Sequence, residues 1–153
     1  MRVHIRPQTR RGATTVEAAF VLIIAFMFIF GIIEYGRYLW FFNTAYAAAR
    51  EGARYAAVRT GDGTTTANVK SRVDQVMGGA QSQLGATYTV NVYNADPATG
   101  NSISSTWTDA PFSGAIGVQI TGTYKFILPG LMQLSNSNGL SVNIKCIINS
   151  EAN

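Results

Sequence analysis

The chain has 153 residues, 47% of them hydrophobic and 13% charged, which leaves room for one compact domain plus an extended element and not for two enzymatic domains side by side. Its formal charge of +4 comes from Arg2, Arg6, Arg10 and Arg11, because beyond residue 12 eight basic side chains are matched by eight acidic ones. A basic excess confined to one end excludes a nucleic-acid surface, which needs a clustered basic face on the folded part, and reads instead as a membrane-topology signal.

In chain order, the basic stretch is followed by sixteen uncharged residues, Ala18 to Ile33, bounded by Glu17 and Glu34. Counting from Ala13 gives twenty-one residues, and at about 1.5 Å per residue a helix of that length crosses roughly 30 Å of hydrocarbon if Glu17 is tolerated inside it. Tyr35, Tyr38, Trp40, Phe41 and Phe42 come next and suit the membrane–water boundary. Arginines ahead of the span place the N-terminus in the cytoplasm and everything beyond the aromatic group outside it.

The expected helix runs on, since proline is absent from Ala13 to Arg59 and only Gly31, Gly36 and Gly52 interrupt the pattern. Ala45, Ala49, Ala53 and Ala57 recur every four residues, a small-residue stripe that admits close approach of another element. Two partners are open for it, the protein's own domain and a neighbouring subunit. Glu34 and Arg37, three apart, either pair at the membrane boundary or each reach out to water. Arg54 is read as lacking a partner on its own helix.

The run TGDGTTT at residues 60–66 ends the helix. A second helix is expected over residues 67–84, with Val69, Val73, Val76, Met77, Ala80 and Leu84 on its apolar side and Gly78 and Gly79 weakening its end. Beyond Gly85 the period changes to two. Tyr88, Val90 and Val92 share one strand face; Ile116, Val118, Ile120, Tyr124, Phe126 and Leu128 share a second; Val142, Ile144, Cys146 and Ile148 share a third. Residues 94–114 read as a polar surface loop with at most one short strand, around Trp107. The fold class is therefore α+β: a long N-terminal helix, half transmembrane and half exposed, a short second helix and a small antiparallel sheet of three to four strands. The apolar face of residues 116–128 is expected to lie on the alanine stripe, with the second helix covering the remainder.

Little in the sequence supports catalysis. Cys146 is the only cysteine and His4 the only histidine, so an intrachain disulfide, a cysteine metal pair and a histidine-dependent triad in the outer domain are excluded. Asp62, Asp74, Asp96 and Asp109 lack ligand-like spacing. The expectation is a protein that is not an enzyme and needs no cofactor or metal, with Cys146 a buried core thiol.

The segment RRGATTVEAAF at residues 10–20 carries the most information. An ordinary secretory signal is cut after its apolar core, whereas here a glycine stands before it, so cutting between Gly12 and Ala13 would leave the apolar segment on the mature chain. Glu17 would then be the fifth residue, and a carboxylate in hydrocarbon is costly unless paired, for which a neighbouring subunit's N-terminal ammonium is suitable.

Three segments together resemble the TadE-like pseudopilins of tight-adherence (Flp-type) pilus systems: RRGATTVEAAFVLIIAFMFIFGIIEYGRYLW, AAAREGARYAA, and the distal VQITGTYKFILPGLM with LSVNIKCIINSEA ending near Glu151. The resemblance implies a minor pilin or pseudopilin that supports pilus biogenesis, surface attachment and biofilm formation. It further implies processing by an inner-membrane prepilin peptidase, other pilins and a pilus assembly platform with a secretion ATPase as partners, and a single pass through the bacterial inner membrane. Residues 1–12 would be a cytoplasmic leader, 13–42 the transmembrane helix with its aromatic belt, and 43–153 an external pilin-like domain. The alternative is a signal-anchored or exported binding protein unrelated to pili, for which Ala45-Tyr46-Ala47 offers a distant signal-peptidase site.

Overall fold

A computed structural model describes residues 11–127 and 139–151. Helix α1, Arg11–Ala57, is 47 residues long, about 70 Å at the rise of an α-helix. Helix α2, Thr66–Met77, follows, and a 3-10 segment, Ala80–Thr87, leads into strands β1 Thr89–Ala95, β2 Ser102–Ser104, β3 Ala115–Tyr124 and β4 Leu140–Asn149. The four strands form one antiparallel sheet in the order β2-β1-β3-β4. The α+β architecture expected from the sequence is the one observed.

Register explains why one sheet face is apolar. Val92, Val118 and Cys146 lie side by side across three strands, as do Val90, Ile120 and Ile144, so the period-two apolar positions of all three strands point the same way. That face lies on α1, whose Ala45, Ala48, Ala49, Ala53 and Ala56 are fully buried with Phe41 in a single core shared with Ile116, Val118, Ile120, Tyr124, Val142 and Ile144. The alanine stripe thus packs on the protein's own sheet. Small helix residues facing large sheet residues let the two elements close without voids. Burial of a large aliphatic side chain is worth roughly 2 kcal/mol, so this face supplies most of what holds the unit together.

Helix α2 seals the rest of the core with Val69, Val73 and Met77. It crosses α1 at Gly52, where a methyl group would fall 2.5 Å from Val73 Cγ2. The helix stops at Met77 and does not run on to residue 84, because Gly78 takes a left-handed conformation with φ of 56° and its N–H caps the Asp74 carbonyl at 3.2 Å. Leu84 still reaches the core from the 3-10 segment.

Four details depart from the sequence reading. The short strand sits at Ser102–Ser104 rather than around Trp107. Trp107 is instead a buried plug whose Nε1 donates to the Thr66 hydroxyl at 3.1 Å, which satisfies the one polar atom of the ring. Strand β3 ends at Tyr124, with Phe126 only partly buried, while Leu128 lies outside the described residues. Cys146 is half-buried, unlike Val142 and Ile144 on the same face of β4; burial still pushes its thiol pKa up. Finally, Phe41 is fully buried and Tyr38 packs edge-on against Tyr124 at 5.2 Å, so two of the five boundary aromatics belong to the folded unit. Tyr35, Trp40 and Phe42 remain exposed.

Candidate functional site

The part of α1 preceding the folded unit is bare. From Val16 to Ile33 its large apolar side chains are all exposed, and none of its most apolar window is buried, so this is not the core helix of a globular domain. By length and composition it is the one helix among the described residues able to cross a membrane. Gly12 has no other atoms close to where a side chain would be, and α1 already includes the Gly12–Ala13 link. Glu17 is exposed and makes no ion pair among the described residues. It stands about 25 Å along the axis from Glu34.

At Glu34 the bare helix becomes the folded one. Glu34 is 4% exposed, and its carboxylate forms an ion pair with Arg37, one turn on. The Ile127 N–H lies 3.4 Å from both Glu34 oxygens, and Arg37 Nη2 donates to the Lys125 carbonyl at 2.9 Å. Arg37 Nη1 also reaches Gln83 Oε1 at 3.4 Å, and the guanidinium lies 4.9 Å from the Tyr124 ring centroid. The Lys125 N–H donates in turn to the Gln83 carbonyl at 3.0 Å. One arginine therefore ties α1, the 3-10 segment and the exit of β3 together, which its planar five-donor fork permits and a lysine would not. Burial raises the pKa of the Tyr124 hydroxyl, which has no hydrogen-bond partner among the described residues.

A second polar node lies further up. Glu51 accepts from Arg54 Nε at 3.1 Å and from Arg72 Nη2 at 2.8 Å, joining α1 to α2. The expectation that Arg54 has no partner on its own helix is corrected: Glu51, three residues earlier, is that partner. Hydrogen bonds from the two guanidinium groups hold the Glu51 carboxyl down at about 2.

Sequence reasoning singled out Glu34 and Arg37 together but not their docking on residues 83 and 125–127. Their i,i+3 spacing is visible in the sequence, whereas a contact spanning 88 residues depends on the sheet's placement. The Glu51–Arg72 link was missed for the same reason. Chemically, both nodes hold elements in place.

Comparison with known families gives a match to the TadE-like protein family over residues 12–54, so the N-terminal segment is TadE-like, as the sequence resemblance implied. This family is a structural one, related to pili. The matched stretch takes in Gly12, Glu17, the bare apolar helix and the Glu34–Arg37 junction, and it stops within the alanine stripe. No curated relative and no solved structure matches the chain.

Proposed function

We propose that this protein is a pilin-like structural and assembly component, a minor pilin or pseudopilin, of a bacterial tight-adherence pilus, contributing to pilus biogenesis and through it to surface attachment and biofilm formation. The observation that carries this reading is the bare apolar shaft of α1, continuous with the core helix of a small α+β unit and lying inside the TadE-like match. A helix shared in this way delivers the folded unit to wherever the shaft is held, first the membrane and then an assembly.

In this reading residues 1–12 are a cytoplasmic leader, residues 13–42 cross the inner membrane and enter its outer boundary, and the unit from residue 43 is external, with residues 34–42 shared between boundary and core. A prepilin peptidase cuts between Gly12 and Ala13. Glycine is the poorest helix former apart from proline, by about 1 kcal/mol relative to alanine, so local unwinding at Gly12 for a protease costs less than it would at an alanine. Glu17, exposed and without an ion pair among the described residues, then meets the new ammonium group of a neighbouring pilin, which offsets its desolvation in hydrocarbon.

Intact-mass measurement on protein from cells with and without the peptidase tests this. Loss of residues 1–12 only when the peptidase is present is expected. Full-length protein in both strains, or a new start near Ala48, would replace this reading with that of an anchored or ordinarily exported protein.

A further inference from the structure

We propose that the base of the folded unit, formed by Lys125 and Ile127 beside Arg37, is a lipid-contact surface that rests on anionic headgroups; this builds on the reading of α1 as a membrane anchor. Ala13 to Ile33 fills about 30 Å of hydrocarbon, so the hydrocarbon ends at Ile33. Glu34 is the next residue, and its carboxylate sits 3.4 Å from the Ile127 N–H. The exit of β3 is therefore held within about one helical turn, roughly 5 Å, of the hydrocarbon edge.

What the domain presents at that level fits a headgroup layer. At that level Ile127 is 66% exposed, and Tyr35, next to Glu34 on the helix, is 58% exposed. Lys125 is exposed, and its Cε and Nζ lie 3.1 Å from where a methyl group on Gly85 would be, so its stem runs along the bared backbone of the 3-10 segment. Glu34 is neutralised by Arg37, which leaves the base, among the described residues, with the positive charge of Lys125. A positive charge, an exposed apolar side chain and an interfacial tyrosine at one height match the phosphate and upper acyl region of an anionic leaflet.

The test uses the full chain, in a Cys146→Ser background, reconstituted into vesicles of phosphatidylethanolamine and phosphatidylglycerol. A single environment-sensitive label is placed in turn at Ile127→Cys, at Ile29→Cys within the shaft, and at Ile103→Cys on the distant strand β2, which is 67% exposed. The label at 127 should be quenched by headgroup-level nitroxide lipids and protected from aqueous acrylamide, that at 29 by deep nitroxides, and that at 103 by acrylamide alone. Lys125→Glu, or replacement of the anionic lipid by phosphatidylcholine, should raise acrylamide access at 127 and leave 29 unchanged. Equal acrylamide access at 127 and 103, with 29 still in lipid, overturns the contact while sparing the anchor. Aqueous access at 29 overturns both, and protection at 127 that ignores charge overturns the role of Lys125.

Discussion

Gly52 is where the packing of the two helices can be tested most sharply. A Cβ there would lie 2.5 Å from Val73 Cγ2, 3.6 Å from Val118 Cγ1 and 3.8 Å from Val69 Cγ1. Carbon atoms settle at about 3.5–4.0 Å, so the first contact is short by at least 1 Å and the other two are already at their optimum. Val73 cannot turn away, because a β-branched side chain in a helix has one favoured rotamer and this one is fully buried. Gly52→Ala therefore sets two effects against each other. Helix propensity favours alanine by about 1 kcal/mol, and overpacking costs about 1–3 kcal/mol. The clash should win, giving a net loss of up to about 2 kcal/mol, and Gly52→Val should lose more, because its propensity gain is smaller and its extra methyl groups meet Val69 or Val118.

Gly36→Ala serves as the control, since no other atoms lie within 4 Å of its side-chain position, and it should be neutral or stabilising by up to about 1 kcal/mol. Adding Val73→Ala to Gly52→Ala should recover part of the loss, with a coupling of about 0.5–3 kcal/mol. The assay is denaturant unfolding of the full chain in detergent, read from the emission of buried Trp107 in a Trp40→Phe background. A stabilisation of about 1 kcal/mol by Gly52→Ala, or strict additivity with Val73→Ala, would refute the contact between α1 and α2 at this point.

Three further outcomes are expected. The Glu51 carboxyl is held at about 2 from a usual 4.5, a depressed value, so its contribution is complete above pH 4.5 and is lost as pH falls towards 2. Glu51→Gln should accordingly be less stable than the parent at pH 7, and the gap should close over that window in pH-dependent unfolding; a gap unchanged at pH 2 would refute the assignment. Arg37→Ala strands a buried carboxylate and should cost about 2 kcal/mol, with Arg37→Lys a poor substitute, both measured by the same unfolding curves. Glu17→Ala should leave membrane insertion and mass processing intact while abolishing assembly with partner pilins, and normal piliation in that variant would refute intersubunit pairing.

What the sequence made legible follows from range. The 3.6 and 2.0 periodicities are local, so α1, α2 and the apolar face of each of the three longer strands stood out, whereas the joining of those faces into one needed the register between strands. Trp107 was legible as a large residue in a polar loop but not as a plug, since its seat is made by Thr66 and the core behind it. Gly52 looked like a tolerated helix glycine, because the residue that requires it, Val73, is 21 positions away and reaches it only after the TGDGTTT turn reverses the chain. Of the candidate site, the Glu34–Arg37 spacing was visible, whereas their attachment to residues 125–127 needed the sheet in place.

The burial of the alanine stripe bears on assembly. With Ala45, Ala49, Ala53 and Ala57 no more than 1% exposed, the close-approach surface of α1 is already occupied by the protein's own sheet and α2, so a neighbouring subunit cannot use it without displacing them. Such displacement would expose Ile116, Val118, Ile120 and Ile144 at roughly 2 kcal/mol each, more than one helix contact could offset. The surfaces left to a neighbour are the shaft below Glu34 and the opposite side of α1, where Tyr46, Ala47, Arg50 and Arg54 are exposed. One helix thus divides its labour by length and by side, apolar all round where it stands free and alanine-lined on one side where it carries the sheet.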